Sequence, residues 1–263
     1  MHIIELLNKY KELAIEEDFN YEEFNKILIT SHSTRIEGST LTYFDSMELI
    51  EKGNTPGGKP LVYSLQTIDH YNALNFVISQ AQQKRKITKE FIQEIASKVM
   101  NSTGEIFTNI NGTVDASKGE FRKTGVRAGN TSFMNYQKVI PALDALCDEL
   151  NKKMHLTQTI SQIELSFFAH YELVNIHPFL DGNGRTARLL MNFIQKRYNL
   201  PLSVVFSEDK QLYYQALNSV REQDNFEYYY RFMMSQYEKY LQNEINNYLS
   251  ADKENKYSFK RKI

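Results

Sequence analysis

One short segment of the chain combines the residue types that phosphoryl-group chemistry needs. It runs from His177 to Arg188 and reads His-Pro-Phe-Leu-Asp-Gly-Asn-Gly-Arg-Thr-Ala-Arg. Its Gly-Asn-Gly turn lets the backbone approach a ligand closely and point successive N–H groups into one concavity. A helix that begins directly after the turn would favour an anion at its N-terminus. The segment therefore predicts an anion-binding turn.

The charged side chains of this segment supply the rest of that chemistry. Arg185 and Arg188 are three residues apart, so they share a face of the first helical turn and can bind phosphate oxygens through paired hydrogen bonds. Asp181 offers the hard oxygen ligand that Mg²⁺ prefers when it bridges phosphates. His177 can accept a proton from an attacking hydroxyl near neutral pH. Together they predict phosphoryl-type transfer, in which positioning and charge stabilisation supply most of the catalysis.

Other interpretations of these residue types find less support. Asp-Gly-Asn-Gly is also a common turn, and arginine pairs often coat solvated helices. The chain contains neither a Walker A pattern nor a kinase glycine-rich loop. Its other histidines do not cluster with carboxylates at metal-ligand spacing, which argues against zinc. These are His2, His32, His70, His155 and His170.

The complete segment resembles the signature of the Fic family, His-x-Phe-x-Asp/Glu-Gly-Asn-Gly-Arg-x-x-Arg, without a departure. The resemblance extends from about Ile27 to Tyr240. It implies a helical bundle that transfers AMP from ATP to Ser, Thr or Tyr hydroxyls of proteins. It also implies that His177 is the general base, that Asp181 is the Mg²⁺ ligand and that Phe179 is a core anchor. The residues expected to hold the phosphates are Gly182, Asn183, Gly184 and Arg185.

Two glycines favour AMP transfer over phosphate transfer. The Doc-type kinases resemble this segment but carry Ala and Lys where Gly182 and Gly184 stand here, and they transfer the γ-phosphate. Three alternatives stay open: a Fic variant with another nucleotide or a phosphocholine donor, an enzyme that chiefly removes AMP, and a regulatory module that only senses nucleotide. The intact His177 argues against the sensor, because a sensor has no need of a base.

A β-hairpin is predicted between Phe121 and Phe133, with its turn near Gly129 and Asn130. In the Fic family such a flap lies over the active site and holds the target protein by strand addition. The matching residues here are Val126, Arg127, Ala128 and Gly129. Arg127 is an unusually charged choice that either biases the target or is simply solvated.

Two tyrosines match family positions near the nucleotide, Tyr213 and Tyr214. The helical pattern also places Tyr213 on a buried face, so core packing competes with contact to adenine. Arg221 stands where related proteins have a nucleotide-contacting Asn, which puts that contact in doubt.

The segment Ser33-Thr-Arg-Ile-Glu37-Gly38 resembles the inhibitory motif of class II Fic proteins, Ser/Thr-x-x-x-Glu-Gly/Asn. In those proteins the glutamate pairs with the second motif arginine, which is Arg188 here. The pair would withdraw Arg188 from the γ-phosphate, because one guanidinium cannot fully serve a carboxylate and a phosphate at once. An alternative role for Glu37 is to help water remove AMP from a modified target.

Apolar periodicity predicts an all-α fold, a Fic-type helical bundle with a small β-hairpin flap. Helices are expected at residues 45–52, 62–82, 88–100 and 184–198, with capping boxes at Asn20 and Ser161 and a helix starting at Pro141. Gly38 should end the helix that Asn20 opens, and the helix opened by Ser161 should break at residues 176–179. In the helix at 184–198 the residues expected to face inward are Ala187, Leu190, Met191 and Ile194. We expect an N-terminal region at 1–60, which holds the inhibitory helix at about 21–37. A catalytic domain at 61–248 and a basic C-terminal tail at 249–263 complete the division. From Ala251 onward this tail is expected to be a frayed, solvated end or, alternatively, a binding arm.

Composition and charge indicate which classes of partner and which location to expect. The formal net charge is −1, from 31 basic and 32 acidic residues, which gives no support to nucleic acid. Cys147, the single cysteine, lies among leucines and is interpreted as a core thiol. No stretch approaches the roughly 20 apolar residues of a membrane span, and no leader pattern is present. A cytoplasmic protein is therefore expected, and since dimers are common in the Fic family, a homodimer is one expectation for its oligomeric state.

Overall fold

The computed structural model describes residues 2–15, 19–129, 131–223 and 225–260 of the chain. Helices dominate them, which confirms the predicted all-α class. The helices are α1 (His2–Glu12), α2 (Phe19–Ile36), α3 (Tyr43–Lys52), α4 (Leu61–Gln82), α5 (Lys89–Val99), α6 (Val139–Lys153), α7 (Thr159–Ile176), α8 (Asn183–Arg197), α9 (Lys210–Gln223) and α10 (Glu227–Lys260).

The larger of two compact units comprises Lys26–Leu202. Helix α8 packs there against α4, α5 and α7. Its predicted inward-facing residues are fully buried: Ala187, Leu190, Met191 and Ile194. Arg185 and Arg188 on the same helix are also almost completely buried. Arginine is rarely buried without a partner. The burial of two arginines in this unit therefore indicates a role other than packing.

Helix positions agree with the prediction, but several predicted helix starts are wrong. Asn20 lies inside α2, so it is not the cap of that helix. Ser161 lies inside α7, whose N-cap is Gln158 without a side-chain cap bond. Pro141 is the third residue of α6 and not the first. A capping pattern of four residues also occurs by chance within a first turn, so apolar periodicity locates a helix better than it locates its end.

The ends of α2 and α10 bear on two further predictions. Gly38 follows α2 at a φ of 106°, and its N–H donates to the Arg35 carbonyl at 3.1 Å, which confirms the predicted glycine stop. Helix α10 continues to Lys260, past residue 248, where the catalytic domain was predicted to end, and the predicted separation of a basic tail stays a prediction. Residues 261–263 lie outside the described part of the chain.

Two antiparallel hairpins follow α5. The flap hairpin, predicted from the sequence, pairs β3 (Arg127–Ala128) with β4 (Thr131–Ser132). The hairpin that precedes it, β1 (Ile106–Asn109) with β2 (Gly112–Asp115), was not predicted. All four residues of β1 are exposed, so it has no alternation of apolar and polar residues for a sequence reading to find.

The smaller unit comprises Met1–Asn25 and Ser203–Ile263. Helix α10 packs there against α1 and α9. Tyrosines fill much of its core, and their rings are almost fully buried: Tyr10, Tyr213, Tyr229, Tyr237 and Tyr240. Among the described helices, none has the length and apolar character to cross a membrane. The predicted division into three regions stays a prediction.

Cys147 lies on the buried side of α6, as predicted. Burial raises the pKa of its thiol to about 12, and Asp144 and Glu90 add to the effect. The thiol therefore stays protonated and packs as a small apolar group, since the thiolate is the reactive form of cysteine.

Candidate active site

The site begins where α7 ends. His177 adopts the left-handed conformation, with φ 51° and ψ 61°, and its N–H donates to the Leu173 carbonyl at 3.0 Å. Pro178 follows and cannot continue the helix, because it lacks an N–H group. Positive φ at a residue other than glycine costs on the order of 1 kcal/mol or more and is concentrated at functional sites. The fold therefore holds the half-buried His177 in a conformation that helix formation alone would not choose.

The turn between His177 and α8 is braced by its own residues. The Asn183 side chain accepts from the Phe179 N–H and donates to the Phe179 carbonyl, both at 2.9 Å. Gly182 has a φ of 80°, and a Cβ on it would lie 2.9 Å from the Met100 sulfur. The backbone conformation therefore favours glycine at 182, and a larger residue would also have to displace the Met100 side chain. Since the side chain of Asn183 is used for bracing, main-chain N–H groups are what the turn offers to a ligand.

Arg185 lies in the first turn of α8 and is 1% exposed. Its Nη2 is 3.3 Å from Asp181 Oδ2 and 3.3 Å from the Met100 sulfur. Its Nε and Nη1 atoms have no hydrogen-bond partner among the described residues. Two unsatisfied donors of a buried cation are costly, and an anion bound at the helix N-terminus would satisfy them.

Arg188 lies one turn further along α8. Its partners include Ser33, which lies in α2, and Glu37, which directly follows α2. Its Nε donates to Ser33 Oγ at 2.9 Å, and its Nη2 donates to the Ser33 carbonyl at 3.0 Å. The same Nη2 is 2.6 Å from Glu37 Oε1. The arginine side chain is 4% exposed and that of Glu37 is 28% exposed. The predicted pairing of Glu37 with Arg188 is thus present in this structure.

Gly184 shows how close this carboxylate lies to the turn. A Cβ on Gly184 would be 2.5 Å from Glu37 Oε1 and 3.1 Å from Arg188 Nη1. Glu37 therefore lies against the start of α8, beside the N–H groups that have no helical partner.

The charges of Arg185 and Arg188 affect the pKa of two buried histidines in this unit. The sequence did not indicate that either histidine lies near these arginines. Burial, with the charges of Arg188 and Arg185, lowers the pKa of His70 well below its usual value. Burial and Arg188 lower the pKa of His170 to about 3. Both rings are therefore neutral at physiological pH. His70 Nδ1 lies 3.1 Å from Thr30 Oγ1, which links α4 to α2.

The flap hairpin contacts the loop that begins at His177 through Phe133, to which the sequence analysis assigned no role. Phe133 follows β4 and donates its N–H to the Val126 carbonyl at 3.2 Å. Its ring stacks on the His177 imidazole, with centroids 3.7 Å apart and planes 17° from parallel. Of the predicted flap residues, Val126 is half-buried, and Arg127 and Gly129 are exposed. Asn130, predicted in the turn, lies outside the described residues.

The two tyrosines predicted near the nucleotide belong to α9 of the smaller unit. Tyr213 is 1% exposed and its ring centroid lies 6.3 Å from that of Phe232, so its side chain packs in the core of this unit. Tyr214 is 40% exposed, and Lys210 Nζ lies 5.8 Å from its ring centroid. Contact of either tyrosine with adenine stays a prediction, as does the effect of Arg221.

A magnesium ion would find one suitable side chain here. Asp181 is 62% exposed, and its Oδ1 accepts from the Gly182 N–H at 2.6 Å. Within the described residues, no three His, Cys, Asp or Glu side chains gather around a metal position. Mg²⁺ commonly binds through one or two carboxylates and takes its other oxygens from substrate phosphates and water. The residues present fit that mode.

A family model described as Fic/DOC family matches residues 86–195. This part of the chain is therefore a Fic domain. Residues 86–195 include α5, both hairpins, α7, the loop from His177 and nearly all of α8.

Curated relatives carry a consistent name. The chain is 32% identical over 193 residues to protein adenylyltransferase fic-1 of Caenorhabditis elegans, which covers 73% of the chain and 36% of the relative. It is 31% identical over 194 residues to protein adenylyltransferase Fic of Nematostella vectensis, covering 73% of the chain and 43% of the relative. The chain thus spans about a third to two fifths of the length of these relatives.

Solved structures extend the likeness to nearly the whole chain. A Fic domain containing signalling protein from Bacteroides thetaiotaomicron superposes with a TM-score of 0.81 at 26% identity, covering 95% of this chain and 98% of the other. Fic-1 of C. elegans superposes with a TM-score of 0.75 at 24% identity, covering 95% and 72%. The second likeness concerns the fold alone.

Proposed function

We propose that this protein transfers AMP from ATP to a Ser, Thr or Tyr hydroxyl of a protein, itself included, and that Glu37 holds it in an inhibited state. The observation that carries the proposal is the turn at the start of α8. There a buried Arg185 with two unpartnered donors lies beside main-chain N–H groups, and His177 lies at the other end of the same loop. The names of the curated relatives support the same reaction.

In the proposed reaction the target hydroxyl oxygen attacks the α-phosphorus of ATP. A new O–P bond forms, the bond from the α-phosphorus to the bridging oxygen breaks, and pyrophosphate leaves. His177 takes the hydroxyl proton, which a neutral imidazole can do near pH 7. Arg185 and the N–H groups at the start of α8 stabilise the phosphate charge. Such preorganised donors act most strongly where water is excluded, which suits the burial of Arg185.

Asp181 is the proposed Mg²⁺ ligand. A magnesium ion bound there would offset negative charge on the phosphates. The hydrogen bond from the Gly182 N–H fixes one carboxylate oxygen of Asp181, and the exposed side chain remains accessible to a cation.

Inhibition follows from the pairing at Arg188. Nη2 already serves Glu37 Oε1 and the Ser33 carbonyl, so a phosphate that needs this guanidinium must displace the carboxylate. Glu37 also lies against Gly184, where it would repel the phosphates of ATP. Misplaced ATP would bind without presenting its α-phosphorus to the hydroxyl.

The target protein is proposed to bind along the flap. Each flap strand has only two residues, so main-chain pairing with an added strand would hold the target backbone while reading little of its sequence. The predicted flap contacts are Val126, Arg127, Ala128 and Gly129.

The test supplies ATP labelled at either the α- or the γ-phosphate to Glu37→Gly and to the Glu37→Gly/His177→Ala double variant. We expect label from the α-position only, and a loss of roughly 10²- to 10⁴-fold in the double variant while ATP binding is retained. Label from the γ-position only would make the protein a kinase of the Doc type. No label from either, with ATP still bound, would contradict AMP transfer and favour another donor or nucleotide sensing.

Removal of AMP from a modified target is a second candidate, because of where Glu37 lies. Its side chain is partly exposed and its carboxylate adjoins the start of α8, so it could orient water toward a bound phosphate ester. Pre-modified target incubated with wild type and with Glu37→Gly tests this. AMP release by wild type alone supports the candidate, and the absence of release by wild type contradicts it.

A homodimer and a cytoplasmic location stay predictions.

A further inference from the structure

Arg122 precedes the flap and is 2% exposed. All three of its guanidinium nitrogens donate to main-chain carbonyls: Nε to His177 at 2.7 Å, Nη1 to Thr124 at 2.7 Å and Nη2 to Met134 at 2.6 Å. Its own N–H donates to the Pro178 carbonyl at 2.9 Å. Among the residues that the structure describes, no carboxylate forms a salt bridge with it. A buried arginine without a carboxylate is unusual, so its role lies in the three carbonyls.

Those three carbonyls come from three places that matter for the reaction. Thr124 lies just before the flap hairpin, and Met134 lies just after it. His177 is the proposed general base. A single side chain therefore ties both ends of the flap to the backbone of the base. The planar guanidinium directs its donors in fixed directions, which a lysine ammonium on a flexible stem cannot reproduce.

The flap contacts His177 a second time through its ring. Phe133 stacks on the imidazole at 3.7 Å between centroids, and its N–H bonds to Val126 across the hairpin. His177 itself has a left-handed backbone, so its side-chain direction depends on holding that conformation. Arg122 therefore holds the His177 carbonyl, and Phe133 contacts the His177 ring.

We propose that Arg122 is a positioning residue for the general base, and that with Phe133 it makes the flap set the orientation of the His177 imidazole. The inference rests on the proposed function, because it takes His177 as the base. It has a consequence for the target: a strand added to the flap is placed by the same element that holds the base. A shift of about 1 Å in a reacting group can cost roughly 100-fold in rate.

The kinetic test uses Arg122→Lys in the Glu37→Gly protein. We expect the rate of self-modification at saturating ATP to fall roughly 10- to 100-fold, while the ATP concentration at half-saturation is unchanged. Arg85→Lys is the matched control, because it makes the same replacement at an exposed ion pair with Glu94. An unchanged rate in Arg122→Lys overturns the proposal. A rate loss matched by an equal loss of ATP affinity also overturns it, since Arg122 would then act on the nucleotide site.

The second readout is the NMR spectrum of histidine-labelled protein, which does not depend on catalysis. Ring protons of His177 should carry an upfield ring-current shift from Phe133, identified by its loss in Phe133→Leu. In Arg122→Lys that shift should diminish, and an unchanged shift overturns the proposal. Phe133→Leu is half-buried and should fold, so it carries the kinetic test if Arg122→Lys does not fold. If Glu37→Gly transfers no AMP, the proposed function fails, and the spectrum alone decides whether Arg122 positions His177.

Discussion

The turn that leads into α8 and the contacts of Arg188 lie within one short stretch of chain, yet they are held in different ways. The turn from Phe179 to Asn183 is braced by its own residues, since Asn183 bonds to Phe179 only four positions away. Arg188 is held by Ser33 and Glu37, more than 150 positions away in the sequence. A locally braced element should lose stability and activity together when it is changed. Breaking an inhibitory contact between distant segments should instead raise the activity of the protein.

The largest expected effect is at the turn, in Gly182→Ala. Alanine would be strained at a φ of 80°, and its Cβ would press on Met100. We expect a loss of roughly 3 kcal/mol in the free energy of unfolding, from left-handed strain and overpacking together. AMP transfer in the Glu37→Gly background should fall with it. Urea denaturation followed by circular dichroism measures the loss. A fully stable Gly182→Ala protein would show that the turn is not braced as described.

Asn183→Ala tests the same bracing with a smaller change. It removes both hydrogen bonds to Phe179 and leaves a buried N–H and a buried carbonyl unpaired. We expect a loss of about 2 kcal/mol in the free energy of unfolding, with reduced transfer. Asn183→Asp keeps the acceptor for the Phe179 N–H and loses the donor, so it should fall between Asn183→Ala and wild type. Equal stability of all three would contradict local bracing.

Thr30→Val tests the distant contacts and should act in the opposite direction. It keeps the shape of the side chain but removes the partner of His70 Nδ1, which loosens α2 from α4. We expect a loss of about 1 kcal/mol in stability and a rise of a few-fold in the basal transfer of AMP. Thr34→Val is the matched control, because among the described residues the Thr34 hydroxyl donates only to carbonyls of its own helix. A rise in both variants, or in neither, would contradict a role for the Thr30–His70 contact.

The last effect appears only below neutral pH, as a pH dependence of stability near Arg188. The pKa of His170 is about 3 in the folded protein because of burial and Arg188, against about 6.5 in an unfolded chain. A depressed pKa means that stability is complete above about pH 6.5 and declines toward pH 3, by about 1.4 kcal/mol per pH unit.

His170→Gln should remove this dependence. Between pH 7 and pH 5, wild type should lose about 2 kcal/mol more than the variant. Glu244, whose pKa is raised to about 7 by burial, acts in the opposite sense in both proteins, so the difference between them isolates His170. Equal losses in the two proteins would show that His170 is protonated in the folded state.

The same contrast explains how much of the structure could be predicted from the sequence. The turn and the helices are local, so residue spacing predicted the stop at His177, the start of α8 and its buried face. The pairing of Glu37 with Arg188 came only from the resemblance to the Fic family, since spacing says nothing about segments so far apart. The contacts of Arg122, Phe133 and His70 lie outside the family motif and depend on tertiary packing, and no local pattern indicated them.

The central claim is that Glu37 inhibits by occupying Arg188, and a double-mutant cycle tests it most directly. AMP transfer from α-labelled ATP is measured for wild type, Glu37→Gly, Arg188→Met and the double variant. The claim predicts that Glu37→Gly raises transfer by at least about 10-fold when Arg188 is present, which corresponds to a coupling of about 1.4 kcal/mol, and has little effect in Arg188→Met. Glu37→Gly that folds yet transfers no more AMP than wild type, or that raises transfer equally in both backgrounds, would contradict it.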